Sequence, residues 1–140
     1  PLSLTAETVE KWAKNTDNFF WHGHVDNVAV LYQKTHIAVL PSYREGLPKA
    51  LIEAAAHGLP IIATNVPGCR EICQDKNNGL LVPTKSPEKL AEAILYFVNN
   101  PEKIKTMGEA GRELVEEAFT DTIVNKQTWK VYSSFLHPQK

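Results

Sequence analysis

The sequence contains few cysteines, and this scarcity limits the kinds of site that the chain can build. Only Cys69 and Cys73 occur among its 140 residues, and no further cluster of Cys or His at metal-binding spacing accompanies them. Four residues of helix would place the two thiols on adjacent turns. We therefore expect two reduced thiols, a cytoplasmic chain and no metal site.

The sequence also lacks an excess of one charge and a long apolar run. Fifteen Lys and Arg stand against sixteen Asp and Glu, which gives a formal net charge of -1. A balanced chain has no basic surface for a nucleic-acid backbone or an anionic lipid. Its apolar stretches are far shorter than the roughly 20 residues that span a bilayer. We therefore expect no nucleic-acid partner and at most a peripheral association with a membrane.

Short apolar runs alternate with helical patterns in the first half of the chain. Runs rich in Phe, Val, Ile or Leu predict strands that are covered on both faces, at Asn18 to His22, His36 to Leu40, Pro60 to Thr64 and Gly79 to Val82. Helical patterns lie between them, at Thr5 to Lys14, Asn27 to Gln33 and Pro48 to His57. The alternation predicts an α/β fold with a doubly wound parallel sheet, in a single domain over residues 1–140.

Helical periodicity continues from Pro83 to the end of the chain. We predict helices that begin near Ser86, at Pro101 and near Thr122, and the last of them ends at Leu136. This last helix carries an apolar stripe formed by Val124, Val131, Tyr132, Phe135 and Leu136. Since the stripe has no obvious partner within the domain, we expect it to be partly exposed or to pack against another copy of the chain.

The loop between the second predicted strand and the following helix suits an anionic ligand. In open α/β sheets, ligands bind at the carboxyl ends of the strands. The N–H groups around Gly46 and Leu47 would face an anion with the dipole of the helix behind them, although Pro48 itself has no N–H to donate. This helix start therefore suits a phosphate or a diphosphate.

Two carboxylates, Glu45 and Glu53, flank this loop. Glu53 lies five residues beyond Pro48, which corresponds to about 7–8 Å along a helix. Because carboxylates accept hydrogen bonds from sugar hydroxyls, the pair suits a ligand with polyol groups on either side of a diphosphate, which describes a nucleotide sugar. The alternative is that Glu45 is a solvated loop residue and that Glu53 only interacts with the helix dipole.

Two other strand ends supply further candidate ligand contacts. Pro67 and Gly68 turn the chain after the strand that ends at Thr64, although an ordinary connection would need the same residues. His22 and Gly23 end the first predicted strand, where an imidazole carries a proton or donates to an oxygen. A lone surface histidine without any function is the alternative for His22.

The order and spacing of these motifs resemble the C-terminal half of the retaining, nucleotide-sugar-dependent glycosyltransferases of family four, which have the two-domain GT-B fold. The resemblance runs from about Phe19 to Phe119. It depends on an E-x7-E core and on the segments FFWHGHVDNV, HIAVLPSYREGLPKALIEAAAHGLPIIAT, NVPGCREI, NGLLVP and MGEAGRELVEEAF. The segment REGLPKALIEA followed by PGCREI is similar to bacterial enzymes that build lipopolysaccharide or capsule repeat units on a lipid carrier.

This resemblance implies a role for each residue of the E-x7-E core. Glu45 would contact the donor sugar as the catalytic-site glutamate, Glu53 would hold the ribose hydroxyls, and the amides of Gly46 and Leu47 would approach the diphosphate. For the whole enzyme it implies transfer of a hexose or N-acetylhexosamine from a nucleoside diphosphate, often UDP, with retained configuration. The acceptor would be lipid-linked or a saccharide, and neither a cofactor nor a metal is implied.

Two departures from the family pattern lead us to expect a partial domain. The family's C-terminal domain opens with two further strands and with an Arg and a Lys that neutralise the diphosphate, and the sequence given starts after them. The N-terminal acceptor domain has no counterpart either. We therefore expect a gap in the sheet between the Asn18 and His36 strands and no turnover of a sugar donor by this chain alone.

Three other functions stay open on the sequence. A nucleotide-sugar epimerase or a sugar phosphorylase has the same fold, but it would need a phosphate site or a cofactor lysine that we do not find. A non-catalytic doubly wound binding module would need acidic residues at the ends of its first strands, and only Asp26 follows the Asn18 strand. Binding of UDP or GDP distinguishes the transferase from such a module.

Overall fold

The computed structural model describes residues 4–136 of the chain. Within this range three strands are present, β1 (Ala38–Leu40), β2 (Ile61–Thr64) and β3 (Gly79–Val82). The helices are α1 (Ala6–Asn15), α2 (Ala29–Tyr32), α3 (Lys49–Ala56), α4 (Pro67–Ile72), α5 (Pro87–Asn99), α6 (Pro101–Ala118) and α7 (Asp121–Leu136). Strands and helices alternate from β1 to α5, and three consecutive helices end the described chain, as the sequence predicts.

The three strands form one parallel sheet in the order β1-β2-β3. Ala38 lies opposite Ile61, and Ile61 lies opposite Gly79. All four residues of the central strand β2 are buried. Parallel sheets are covered by helices on both faces, and this arrangement confirms the predicted doubly wound α/β fold.

Two apolar clusters cover the two faces of the sheet. On one face, Ile61 packs with Leu51 of α3 and Val115 of α6. On the other face, Ile62 packs with Phe97 of α5 and with residues at the start of α6. Because successive side chains of a strand point to opposite faces, two adjacent isoleucines of β2 belong to two different cores.

Local signals set several helix ends where the sequence predicts them. The side chain of Thr5 caps α1 by accepting a hydrogen bond from the N–H of Thr8 at 3.3 Å. Pro101 occupies the first position of α6, where a missing N–H costs nothing. Gly58 follows the end of α3 with a φ of 74°, in the left-handed region that glycine adopts without a steric cost.

The predicted strand from Asn18 to His22 is wrong. Residues 18–22 lie outside every strand of the sheet, and the side chain of Phe20 is 74% exposed. A strand needs a neighbour that takes up its backbone hydrogen bonds, and β1 has no neighbour on its outer edge in the part of the chain that the structure describes. The gap expected between the Asn18 and His36 strands is therefore absent as well, because β1 is an edge of the described sheet. Phe19 contacts Trp12 of α1 instead, with ring centroids 6.5 Å apart.

Helix α7 lies against α6 and buries none of its side chains. The stripe predicted to be partly exposed is indeed exposed, at Val124, Val131, Tyr132, Phe135 and Leu136. Neither α7 nor any other helix within residues 4–136 is both long and apolar enough to cross a bilayer.

Two glycines of α6, Gly108 and Gly111, lie close to the C-terminal end of α3. A Cβ at Gly108 would overlap the carbonyl oxygen of Gly58, which lies two residues after the end of α3, so this approach of two backbones requires a glycine. A Cβ at Gly111 would meet the Cβ of Ala55 at 3.5 Å, which is an ordinary van der Waals contact. Helix packing therefore requires the first glycine and tolerates a methyl group at the second.

We expect Gly108→Ala to lower the free energy of unfolding by about 2 kcal/mol, because overpacking a core typically costs about 1–3 kcal/mol. Gly111→Ala is the matched control on the same helix. It adds a methyl group where there is room and should be neutral or stabilise by up to about 1 kcal/mol, since alanine is the better helix former. Urea unfolding of both variants measures the difference, and equal stabilities would contradict the close approach of α6 to Gly58.

Candidate functional site

The loop from Pro41 to Leu47, called the Glu45 loop below, joins the carboxyl end of β1 to α3. Within the described chain, none of its residues takes part in a backbone–backbone hydrogen bond. Side chains hold it instead. The hydroxyl of Thr64, at the end of β2, donates to the carbonyl of Ser42, and the hydroxyl of Ser42 donates to the carbonyl of Arg44 at 3.0 Å.

The start of α4 lies directly behind the Glu45 loop. A Cβ at Gly68 would overlap the carbonyl oxygen of Gly46 and would lie 2.5 Å from the carbonyl oxygen of Glu45. Gly68 itself is buried. The glycine that the sequence marks as a ligand contact is therefore needed for the packing of two backbones, one of which carries Glu45.

A first cavity, of about 420 Å³, lies between the Glu45 loop and the start of α4. It is lined by Tyr43, Arg44, Glu45, Gly46, Val66 and Pro67. The structure thus brings together three predicted site residues, Glu45, Gly46 and Pro67, at the carboxyl ends of β1 and β2. Arg44 adds a positive charge that the sequence analysis did not single out.

A second cavity, of about 330 Å³, lies between α2 and α3 and contains Glu53. Its lining residues are Asp26, Asn27, Val28, Ala29, Tyr32, Glu53 and His57. The hydroxyl of Tyr32 donates to the carbonyl of Ala50 at 3.1 Å, and its ring lies 5.2 Å from the ring of His57. Burial, and then the charge of Glu53, raises the pKa of Tyr32, so this phenol stays protonated near neutral pH.

The start of α3 lies between Glu45 and Glu53 in the chain. Its N-cap, Pro48, has no N–H, and the N–H groups of Gly46 and Leu47 donate to no acceptor among residues 4–136. The Nζ of Lys49 lies 3.4 Å from Oε1 of Glu53, one turn further along the helix. Two free N–H groups, a lysine and the positive end of the helix dipole therefore lie within residues 46–49. The side chain of Leu47 is exposed and lines neither cavity.

His22 and Gly23 line neither cavity. Both residues are exposed, and Gly23 has a φ of 62°, which turns the chain ahead of Asp26 and Asn27. The structure therefore does not bring this pair together with Glu45 or Glu53, although the residues that follow it contribute to the second cavity.

The sequence did not lead us to predict that Tyr32 and His57 line the second cavity. His57 follows Glu53 by four residues, and its Nδ1 lies 2.8 Å from the carbonyl oxygen of Glu53, so the helical spacing was a usable signal. Tyr32 had no such signal, because only the packing of α2 against α3 brings it to the second cavity.

Neither cysteine is suited to act as a nucleophile. Both are free and buried. Burial, followed by the charge of Glu45, raises the pKa of Cys69, and burial raises the pKa of Cys73 to about 12. Among residues 4–136, no group of three or more His, Cys, Asp or Glu side chains is arranged to hold a metal ion.

Known proteins share both the sequence pattern and the fold of this chain. The family described as glycosyl transferases group 1 matches residues 5–114. The capsular polysaccharide biosynthesis glycosyltransferase CapM of Staphylococcus aureus is 31% identical over 113 residues, which are 81% of this chain and 30% of CapM.

Two solved structures show the same fold. Sucrose-phosphate synthase of Thermosynechococcus elongatus superposes with a TM-score of 0.87 and 30% identity, over 95% of this chain and 35% of the other. Anabaena HepE, solved in complex with UDP, superposes with a TM-score of 0.84 and 19% identity, over 91% of this chain and 36% of the other. The chain therefore spans about a third of the length of each of these proteins.

We expect Gly68→Ala to displace the Glu45 loop, because the added methyl group overlaps backbone atoms that cannot rotate away. Gly46→Ala is the control from the other side of the same contact, since a Cβ there would meet nothing within 4 Å. Backbone NMR shifts of residues 42–47 should change strongly in the first variant and only near the substitution in the second. A Glu45 loop with unchanged shifts in Gly68→Ala would contradict the packing described here.

Proposed function

The chain belongs to the group 1 glycosyl transferases, and we propose that it is the donor-binding part of such an enzyme, with a nucleoside-diphosphate sugar as its ligand. One observation carries this proposal: Glu45 and Glu53 line two separate cavities, and the start of α3 lies between the two residues in the chain. A nucleotide sugar has hydroxyl groups at two ends and two phosphates between them, which matches this order of groups.

In the proposed complex the transferring sugar occupies the first cavity, where Glu45 accepts hydrogen bonds from its hydroxyls. The ribose lies in the second cavity at Glu53. The contrast between the two cavities supports this assignment, because the first contains Arg44 and free backbone groups and the second contains the rings of Tyr32 and His57, against which a nucleoside can pack.

The diphosphate then lies at the start of α3. The N–H groups of Gly46 and Leu47 are free to donate to it, and the helix dipole favours its negative charge. Lys49 adds a cation on the first turn, at 3.4 Å from Glu53. Arg44 adds a second cation on the side of the sugar, so that the two carboxylates do not repel the ligand.

Catalysis depends on the departure of the diphosphate from the anomeric carbon. Positive charge develops on the sugar, and negative charge on the leaving group, as that bond breaks. Glu45 would position the sugar and stabilise the developing positive charge, while the free N–H groups stabilise the diphosphate. Retention of configuration and a reaction without metal or cofactor follow from the family resemblance and stay predictions.

The proposed donor is a UDP-linked hexose or N-acetylhexosamine, and UDP is supported by its presence in the structure of HepE. A role in capsule or lipopolysaccharide synthesis is supported by the likeness to CapM. The acceptor, lipid-linked or saccharide, would be bound by a part of the protein outside these residues, on the cytoplasmic side where nucleotide sugars are available.

Calorimetry with UDP and GDP tests the binding proposal directly. We expect the chain to bind UDP more tightly than inorganic diphosphate, because the second cavity receives the nucleoside. If the chain released heat with neither nucleotide while remaining folded, the donor-binding proposal would be wrong.

We further expect Glu45→Gln and Glu53→Gln to change different properties of the complete transferase, namely kcat in the first variant and the affinity for UDP in the second. A hydrogen bond to a charged group contributes about 1.5–3 kcal/mol, and about 1.4 kcal/mol corresponds to a tenfold change. Glu53→Gln should therefore lower the affinity for UDP by about 10- to 100-fold, because UDP contains the ribose. Glu45→Gln should leave the affinity for UDP nearly unchanged and lower kcat, since the transferring sugar is absent from UDP.

Glu113→Gln, at an exposed position of α6 that lines neither cavity, is the control for loss of one negative charge. It should change neither the affinity for UDP nor kcat. Equal loss of UDP affinity in the Glu45 and Glu53 variants would contradict the assignment of the two residues to opposite ends of the donor.

A further inference from the structure

Thr64 is one of two buried polar residues in the part of the chain that the structure describes, and the other is Asn78. Thr64 ends β2 and is 4% exposed. Its hydroxyl donates to the carbonyl of Ser42, which lies 22 residues earlier in the Glu45 loop. A valine would have the same shape and would suit the end of a buried strand, so the hydroxyl at this position calls for a specific explanation.

The polar contacts of the Glu45 loop form a short chain that begins at Thr64. The carbonyl of Ser42 accepts from Thr64, and the hydroxyl of Ser42 contacts both the carbonyl and the N–H of Arg44, at 3.0 and 3.4 Å. Glu45 is the next residue. Among residues 4–136 no other hydrogen bond reaches the loop.

Thr64 does not line the first cavity. It acts on that cavity only through the loop, whose other support is the contact of Gly68 with the backbone of Glu45 and Gly46. Gly68 stops the loop from moving towards α4, and the Thr64 hydroxyl stops it from moving away from β2. The two contacts together define the position of the backbone from which the Glu45 side chain and the N–H of Gly46 project.

We propose that Thr64 is a positioning residue for the donor sugar, which holds the Glu45 loop through the carbonyl of Ser42. This inference rests on the proposed function, because it assigns to the loop the sugar end of the donor. Without the hydroxyl, the Ser42 carbonyl has no hydrogen-bond donor in the protein. The loop then shifts away from the sheet so that water can donate to this carbonyl. The ribose end of the donor, at Glu53 on α3, does not depend on this bond.

Thr64→Val and Thr64→Ser form the decisive pair of variants, because the first removes only the hydroxyl and the second keeps it. NMR relaxation of this chain should show lower order parameters for residues 42–46 in Thr64→Val, with β2 unchanged and with wild-type values in Thr64→Ser. In the complete transferase, Thr64→Val should lower kcat about 10-fold with the sugar donor that the wild type turns over. Its affinity for UDP should change less than threefold, and Thr64→Ser should restore kcat.

Cys69→Ala is the control for the other neighbour of the hydroxyl, because burial raises the pKa of this thiol and the nearby Thr64 side chain lowers it in part. It should leave kcat and the order of the loop unchanged. If Thr64→Val does not fold, Thr64→Ala removes the same hydroxyl without adding a methyl group in its place and should loosen residues 42–46 in the same way.

Three results would overturn the proposal: an equally ordered loop in Thr64→Val, an equal loss of kcat in Thr64→Val and Thr64→Ser, or the same loss in Cys69→Ala. UDP binding by the wild-type chain separates these results from a failure of the proposed function, because the chain would then bind no UDP. The order parameters of residues 42–46 would still decide whether Thr64 holds the loop.

Discussion

Burial of β2 on both faces and along both edges is the constraint on which the rest of the structure depends. Its backbone pairs with β1 and β3, and its alternate side chains belong to two separate apolar cores. A parallel sheet requires each strand to leave at the same edge, so the connections that follow β1 and β2 emerge side by side. The Glu45 loop and the start of α4 therefore meet, and the first cavity forms between them.

The site is assembled from backbone that has little regular hydrogen bonding, and the core compensates for this. Gly68 allows two backbones to touch, and Thr64 offers a hydroxyl from a strand that is itself fully buried. Both contacts start from rigid elements and end on the loop. A loop with no backbone–backbone hydrogen bonds of its own thereby receives a defined position, as the proposed contact of Glu45 with a sugar requires.

The second half of the site depends on helix packing. Glu53 lies on α3, which packs on the sheet through Leu51 and Ala55, and its cavity is completed by Tyr32 of α2. Glu45 and Glu53 thus have different supports, a loop and a helix, and in the proposed complex this separates the interactions with the two ends of the donor. The apolar stripe of α7 and the aromatic residues near Phe20 contribute to neither cavity, and they remain exposed within the described chain.

The sequence by itself determined the features that depend on neighbouring residues. The helical patterns of α1 and α3 and the apolar runs of β1, β2 and β3 act within a few residues, so they predicted these elements, and the E-x7-E spacing pointed to Glu45 and Glu53. Only the tertiary structure decided that Asn18 to His22 is not a strand, because that depends on a partner for its backbone. It also decided that the two glutamates line separate cavities, that Tyr32 lines the second of them and that the Thr64 hydroxyl reaches the Glu45 loop. Those contacts join residues about 20 positions apart, such as Thr64 and Ser42, and packing brings them together without any local pattern that records it.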